Sequence, residues 1–281
     1  MFHLFLGLFS IAASLLALVV YIFLMLIPPT LLAGLALWKK ALTVPGVLCA
    51  WGLAVCVTFT GGLGAFTVLA AVFLCALLAG KLSGAAGKAV GERLHAKSGK
   101  RDAVQVLCNV AVGTVMLLLY ADSRLPCFLW AYGGAMAASL ADSMASELGV
   151  RSARPPRDIL SFKPVEAGIS GGVTALGLGA SALGALIIAG LSLLLPGVTA
   201  SILPDVAAAG FFAALCDSVL GSAAQAKYRC GVCGALTEKR CHCGQPGTVE
   251  RGLPRIDNDA VNLLNNLIGA LCALGLYFLH I

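Results

Sequence analysis

Two aspartates occur in matching phrases inside strongly apolar segments of the chain. Asp142 lies in residues 138–143 (ASLADS), and Asp217 lies in residues 213–218 (AALCDS). A carboxylate within a bilayer costs roughly 2.5–3.5 kcal/mol on insertion scales, so it usually faces a protein interior or a wet cavity. Two such residues in the same context predict a functional site inside a membrane protein.

The residues after Asp142 supply further oxygen ligands. Ser146 is its i+4 neighbour on a helix, and Glu147 follows one residue later. Carboxylates with hydroxyls suit Mg²⁺, a hard cation that keeps water and substrate phosphate in its coordination shell. The alternative is that Glu147 is an interfacial residue and that Asp142 bonds to a neighbouring helix.

A second polar stripe opens the apolar segment that begins near residue 102. Asp102, Gln105 and Asn109 are spaced i, i+3, i+7 and therefore share one helix face. Lys100 and Arg101 precede them and are predicted to hold phosphate oxygens. The alternative is a basic membrane anchor followed by a helix cap.

Two more segments carry polar residues into predicted helices. Residues 163–172 (KPVEAGISGG) place a Gly/Ser run at the expected start of a helix, where backbone N–H groups attract anions, and Lys163 adds a charge. A plain glycine-rich turn is the alternative. Farther on, Asp259 and Asn262 share a helix face, while Asp257 is placed to cap that helix.

A cluster of thiols forms the fifth constellation. Cys230 and Cys233 lie in a CxxCG turn, and Cys241, His242 and Cys243 follow. This pattern is typical of a small zinc ribbon, with the last two ligands drawn from the second group. Reduced thiols without metal are the alternative.

Composition sets the class of protein that must position these residues. The chain is 59% hydrophobic and 11% charged, against about 25% charged residues in a soluble domain. We therefore predict an all-α polytopic membrane bundle of about eight transmembrane helices with a small cytoplasmic Cys-rich loop. The predicted spans are 3–27, 42–60, 63–79, 103–121, 126–149, 170–195, 203–225 and 259–280.

The basic residues fix the predicted orientation. All of the 19 lysines and arginines except Arg124 fall after the first, third, fifth or seventh span. The positive-inside rule then places both termini outside the cytoplasm of a multi-pass plasma-membrane protein. This distribution also argues against nucleic acid as a partner. Asp142 and Asp217 lie about eight residues from the cytoplasmic end of their spans, or roughly 12 Å deep, so the site opens to the cytoplasm.

Two regions follow from this organisation. Residues 1–41 would form an N-terminal transmembrane helix, ended by Pro28-Pro29, with a short piece after it that is either interfacial or re-entrant. Residues 42–281 would form the catalytic-like bundle, including a zinc-ribbon-like cytoplasmic loop at 226–257.

Taken together, these phrases resemble the membrane family that contains transmembrane protein 19 and the plant phytyl-phosphate kinase. The matching residues run in the family's order from about residue 38 to the end. They are 39–43, 98–102, 141–143, 146–149, 163–165, 168–172, 217–218, 228–230, 233–234, 237–238, 242–244, 258–259 and 262.

The resemblance implies transfer of a phosphoryl group from a nucleoside triphosphate, CTP being one candidate, to an isoprenyl monophosphate. It also favours His242 and Cys243 as the last two zinc ligands, with Cys241 as an alternative, and adds Asn258 to the substrate-binding residues. The residues themselves predict that Asp142, Asp217 and Asp259 position Mg²⁺ or the nucleophile. Lys100, Arg101 and Lys163 would hold phosphates.

Three other functions are compatible with the sequence. A transporter would also carry intramembrane acids and a repeated helix, but its polar residues should continue to the outer side. A CTP-dependent lipid-phosphate cytidylyltransferase would use the same metal and give different products. A non-catalytic membrane protein could dock a partner through its thiol loop. The lipid bilayer is a partner in every case, and a homo-oligomer is compatible with each of them.

Overall fold

The computed structural model describes residues 2–94, 96–97 and 99–280, with only the backbone described for residues 2–13. Ser98, part of one motif above, lies outside the described residues. The described chain is predominantly helical, which confirms the predicted all-α membrane bundle. The helices are α1 Phe2–Trp38, α2 Val44–Leu94, α3 Ala103–Ser123, α4 Cys127–Gly149, α5 Ala175–Leu191, α6 Ile202–Ala223 and α7 Asn258–Phe278.

Six of the helices described are long and apolar enough to cross a membrane; α4 is the exception. Helix α4 is less apolar because it lies at the centre of the bundle, packed against α2, α3, α5, α6 and α7. Residues 129–141 of α4 are buried without interruption. Because protein surrounds this helix on all sides, its side chains do not face lipid and need not be as apolar as those of the other helices.

Helix α2 is 51 residues long and breaks at Gly62 and Gly84. Ala54, before the first break, shares a buried cluster with Leu69 and Val72, after it. Ala54 lies eight residues before Gly62 and Leu69 seven after it, and both line the same small apolar space. A reversal of the chain at Gly62 brings them together and gives the two predicted spans. Helical structure continues beyond residue 79, where the second predicted span ends, and runs through the break at Gly84 to Leu94.

The prediction that Pro28-Pro29 ends the first span was also wrong. Helix α1 runs through both prolines to Trp38. The hydroxyl of Thr30 donates to the Leu26 carbonyl at 2.8 Å and accepts from Trp51 Nε1 at 3.1 Å. These contacts, with the packing of Ala36 against Leu42 and Val47, hold the part of α1 beyond the prolines against the start of α2. Proline is tolerated within membrane helices that neighbouring helices support.

The Gly/Ser run at 168–172 does not open the sixth span, contrary to the prediction that this span begins at residue 170. Thr174 caps α5 instead, and its hydroxyl accepts from the Gly177 N–H at 3.0 Å. The run forms a turn closed by two short antiparallel strands, β1 Arg157–Asp158 and β2 Gly172–Val173.

The thiol-rich segment between α6 and α7 folds as small β-structures. Strand β3 Lys227–Arg229 lies between β4 Leu236–Thr237 and β7 Thr248–Arg251. Strands β5 Cys241–His242 and β6 Gln245–Pro246 form a separate hairpin. The Thr237 hydroxyl donates to the Leu94 carbonyl at 2.9 Å, which ties this segment to the end of α2.

Candidate functional site

A polar cavity of about 760 Å³ opens at the end of the bundle that carries the basic loops. We call it the polar cavity. Its walls come from α2, α3, α4, α5, α6 and α7, the Gly/Ser turn and the thiol-rich segment. Most of the residues predicted to form a site line it, namely Lys100, Arg101, Gln105, Asn109, Asp142, Ser146, Glu147, Ser170, Gly171, Gly172, Asp217, Asn258, Asp259 and Asn262.

Asp142 of α4 and Asp217 of α6 face each other in the wall of the polar cavity. Their carboxyl groups are close enough to interact directly, and the Arg101 guanidinium is near enough for its charge to act on Asp142. Two carboxylates in contact repel each other when both are ionised. The pair is therefore completed by a proton or by a cation between the two groups.

The donor set of this pair fits a divalent cation. Asp217 Oδ2 is buried and has no hydrogen-bond partner among the described residues. A buried carboxylate oxygen without a donor is costly unless a charged group satisfies it. Oxygen ligands from two carboxylates, with open space beside them, are the usual protein contribution to a Mg²⁺ site shared with substrate phosphate.

Asp259, predicted as a third metal ligand, has a different partner. Lys97 Nζ lies 2.5 Å from Asp259 Oδ2 and 2.9 Å from Asp102 Oδ2. Partial burial lowers the pKa of Lys97. The hydrogen bonds that Lys97 donates to both aspartates outweigh that effect and leave the pKa raised. The structure thus brings Asp142 and Asp217 together, whereas Asp259 lines the same cavity as the ion-pair partner of Lys97.

The stripe on α3 is held by its own hydrogen bonds. Asp102 and Gln105 form a capping box, in which Gln105 N–H donates to Asp102 Oδ1 at 2.9 Å and Asp102 N–H donates to Gln105 Oε1 at 3.0 Å. The Gln105 N–H and Lys97 lower the pKa of Asp102. Asn109 accepts from Ser139 at 3.1 Å. The helix-cap alternative thus holds for Asp102, whereas Gln105 and Asn109 remain in the cavity wall.

Glu147 lies at the junction of α4 with the second half of α2. Ser83 Oγ donates to Glu147 Oε2 at 3.1 Å. Gly80 and Gly87 bring α2 against this carboxylate, since a Cβ at Gly80 would lie 3.6 Å from its oxygens. Ser146 is exposed to the cavity, and its hydroxyl donates to the local Ser143 carbonyl at 3.2 Å.

The Gly/Ser turn is positioned by the thiol-rich segment. The Ser170 hydroxyl and N–H both donate to Glu238, the latter at 3.3 Å, and Lys227 Nζ donates to the Ser170 carbonyl at 2.7 Å. Burial lowers the pKa of Lys227. Gly171 has φ +89°, and a Cβ there would lie 2.6 Å from the Ser222 backbone. Only glycine fits this turn.

Asp158 of β1 also stabilises the Gly/Ser turn. Ser222 Oγ donates to its Oδ2 at 2.5 Å, and the Ser161 hydroxyl donates to its Oδ1 at 2.8 Å. Burial raises the pKa of Asp158, but these hydrogen bonds outweigh it and leave the pKa lowered to about 2. A fully ionised carboxylate therefore anchors β1 to the end of α6.

Lys163, predicted to hold phosphate, is not among the residues that line the polar cavity. Its side chain is exposed outside the polar cavity, and its carbonyl accepts from the Asp158 N–H in the β1 turn. Other cations lie in the cavity wall instead. Besides Lys100 and Arg101 they are Lys39, Lys40, Lys88 and Lys97.

Cys230, Cys233, His242 and Cys243 bring one ligand atom each within 4.8 Å of one another. Cys233 Sγ lies 3.4 Å from His242 Nδ1 and 3.7 Å from Cys243 Sγ. Ligands about 2.3 Å from a tetrahedral zinc ion would stand roughly 3.8 Å apart, so these four side chains could hold one. Hydrogen bonds from the Cys233 N–H and His242 lower the pKa of Cys230 to about 6, which favours its thiolate. Cys241 is outside the cluster.

Sequence reasoning missed Lys97, Lys227 and Asp158 as supports of the site. Their spacing relative to the motifs carries no signal, because each acts through a contact between distant segments. Glu238 was present in a matching phrase but had no predicted role.

Comparison with known proteins gives the following matches. A family profile described as "Integral membrane protein DUF92" matches residues 27–270. "Protein PGR" of Arabidopsis thaliana is 34% identical over 201 residues, which cover 61% of this chain and 67% of that protein. "Uncharacterized membrane protein MJ0933" of Methanocaldococcus jannaschii is 30% identical over 174 residues, covering 61% of this chain and 62% of that protein. The aligned regions thus span about two thirds of each relative. No solved structure shows significant similarity.

Proposed function

This chain belongs to the integral membrane protein DUF92 family. We propose that it is a membrane phosphotransferase. The resemblance to the family of the plant phytyl-phosphate kinase is confirmed at the level of the family. The proposed reaction transfers the terminal phosphoryl group of a nucleoside triphosphate, CTP or ATP, to an isoprenyl monophosphate, giving the diphosphate.

The observation that carries the proposal is the Asp142–Asp217 pair, with the buried and unpartnered Asp217 Oδ2, facing a cavity edged by cations. Phosphoryl transfer requires positioned charge and little covalent chemistry from the protein. Mg²⁺ bound at this pair would neutralise negative charge on the phosphate oxygens.

The roles of the chain's own residues follow from their positions. Arg101, near Asp142, would hold the phosphate of the acceptor lipid, and Lys100 would hold the nucleotide phosphates. In the transfer, an oxygen of the lipid phosphate forms a bond to the terminal phosphorus. The bond from that phosphorus to the bridging oxygen breaks, and the nucleoside diphosphate leaves. The Gly/Ser turn at 168–172 would limit the entry of water.

The shape of the bundle suits an enzyme that works at one membrane face. Below the polar cavity, the side chains of α4 in residues 129–141 are buried, with 0–5% exposure. Trp130 and His280 hydrogen-bond to Asp205 at the other end of the bundle, and this buried stretch of α4 separates them from the cavity. The site is therefore open at one end, as expected for a reaction at one membrane face.

The distribution of basic residues supports a cytoplasmic opening in a plasma membrane, with both termini outside. In that orientation nucleotides reach the cavity directly. The thiol-rich segment would be cytoplasmic, where disulfides are disfavoured and a structural Zn²⁺ at Cys230, Cys233, His242 and Cys243 is the fitting occupant.

Purified protein incubated with Mg²⁺, each terminally labelled nucleoside triphosphate and a panel of prenyl monophosphates tests the proposal. Labelled prenyl diphosphate should form and should disappear in Asp142→Asn and Asp217→Asn. Release of diphosphate with a nucleotidyl-lipid product would instead identify a cytidylyltransferase. Absence of product with every donor and acceptor, together with substrate uptake into vesicles, would identify a transporter.

A further inference from the structure

An apolar groove between α1, both halves of α2 and α3 leads away from the polar cavity. We call it the apolar groove; its volume is about 80 Å³. Leu32 and Ala33 of α1 face Trp51 and Phe73 of α2 across it. Its lining is almost entirely apolar, in contrast to the polar cavity beside it.

The two spaces share three residues. Arg101, Gln105 and Asn109 line both the polar cavity and the apolar groove. Arg101 is fixed at this junction by backbone bonds: its N–H donates to the Ala41 carbonyl at 3.1 Å, and its carbonyl accepts from the Thr43 N–H at 3.0 Å. A ligand at the junction would thus meet a cation and two amides on one side and hydrocarbon on the other.

We propose that the apolar groove binds the first isoprene units of the lipid substrate while its phosphate lies at Arg101. This inference rests on the proposed function. The occupant is a single hydrocarbon chain, because the groove is narrow, meets the polar cavity at Arg101 and lies within the span of the bilayer. A free phosphate or a nucleotide would leave this apolar wall without a partner.

The groove also sets where selectivity for chain length arises. Along α1 its lining runs from Ala36 to Pro29, which is about 10 Å at 1.5 Å per residue. Leu32 lies near the end that is farther from Arg101. Carbons beyond this point would leave the groove between α1 and α2 and enter the bilayer. Residues near Leu32 would therefore contact long isoprenyl chains but not short ones.

Leu32→Trp tests this assignment, with Leu31→Trp as a matched control. The two leucines are adjacent on α1, but Leu31 is 69% exposed and outside the groove. Leu32→Trp should lower kcat/KM at least tenfold for geranylgeranyl monophosphate relative to geranyl monophosphate. Leu31→Trp should leave this ratio unchanged. An unchanged ratio in Leu32→Trp would overturn the assignment while leaving the kinase proposal intact.

A second measurement does not depend on turnover. Geranylgeranyl monophosphate carrying a diazirine in its second isoprene unit should, on irradiation, label residues 29–36 or 69–73, and unlabelled geranylgeranyl monophosphate should prevent the labelling. Labelling confined to α5, α6 or α7 would overturn the assignment. If the protein forms no product yet labels at 29–36, the kinase proposal fails and the lipid-phosphate site stands.

Discussion

Lys97 Nζ lies 2.5 Å from Asp259 Oδ2 and links the loop before α3 to the first turn of α7. The side chain of Asp259 is only 9% exposed, and Lys97 is its ion-pair partner. The same ammonium group reaches Asp102, the N-cap of α3. One cation therefore joins the beginnings of two helices that border the polar cavity.

The first prediction concerns this link. Lys97→Met should destabilise the protein by about 1–2 kcal/mol, because it leaves Asp259 without its cation while the lysine itself is partly exposed. Thermal unfolding in detergent measures the loss. Lys97→Arg should recover most of it, and Lys100→Met, on the same exposed loop, should cost little. Equal losses for Lys97→Met and Lys100→Met would contradict the assignment.

The second prediction concerns the Asp142–Asp217 pair. Asp217→Asn should lower turnover by at least about 100-fold, since it removes a ligand that faces substrate phosphate. It should also raise the melting temperature measured in EDTA, because one of two facing carboxylates loses its charge. Added Mg²⁺ should stabilise the wild type and have little effect on the variant. Asp205→Asn, at the opposite end of the bundle, should keep the Mg²⁺ response.

The thiol cluster supplies the third prediction, with a built-in control. Cys233→Ser should lose about one equivalent of bound zinc by elemental analysis, because it removes one of four converging ligands. Cys241→Ser should retain that zinc, since Cys241 is outside the cluster. Retention of zinc in Cys233→Ser, or its loss in Cys241→Ser alone, would show that the ligand set is different.

Much of this architecture could be predicted from the sequence, because bilayer thickness and charge placement constrain the spans directly. The break at Gly62 and the position of Asp142 are examples. The continuation of α1 through Pro28 and Pro29 could not, since proline usually ends a helix and the contacts beyond it, such as Trp51 with Thr30, join distant segments. Nor could the exposed position of Lys163, which follows from the fold of a short turn whose backbone bonds only the structure shows.

The fourth prediction concerns pH. Asp158 has a pKa lowered to about 2 by hydrogen bonds that outweigh its burial. Because the unfolded carboxyl has a pKa near 4, the ionised form stabilises the fold above about pH 4, and this contribution is lost as the pH falls toward 2. Asp158→Asn should lower stability at pH 7 by roughly 1–2 kcal/mol and show a smaller difference from wild type near pH 2.5. A difference that is constant from pH 7 to 2.5 would contradict this account.

The fifth prediction tests the packing that places Asp142. A Cβ at Gly134 of α4 would come within 2.2 Å of the Gly269 carbonyl oxygen of α7, so the two backbones are in direct contact. Small residues permit such close approach where helices associate in membranes. Gly134→Ala should therefore separate α4 from α7, lower the melting temperature and reduce turnover, because α4 carries Asp142.

Gly179→Ala on α5 is the control, since a Cβ there meets nothing within 4 Å, and alanine favours a helix by up to about 1 kcal/mol over glycine. It should leave the protein unchanged or slightly stabilise it. Gly134→Ala as stable and active as Gly179→Ala would show that the α4–α7 contact does not determine the position of the aspartate.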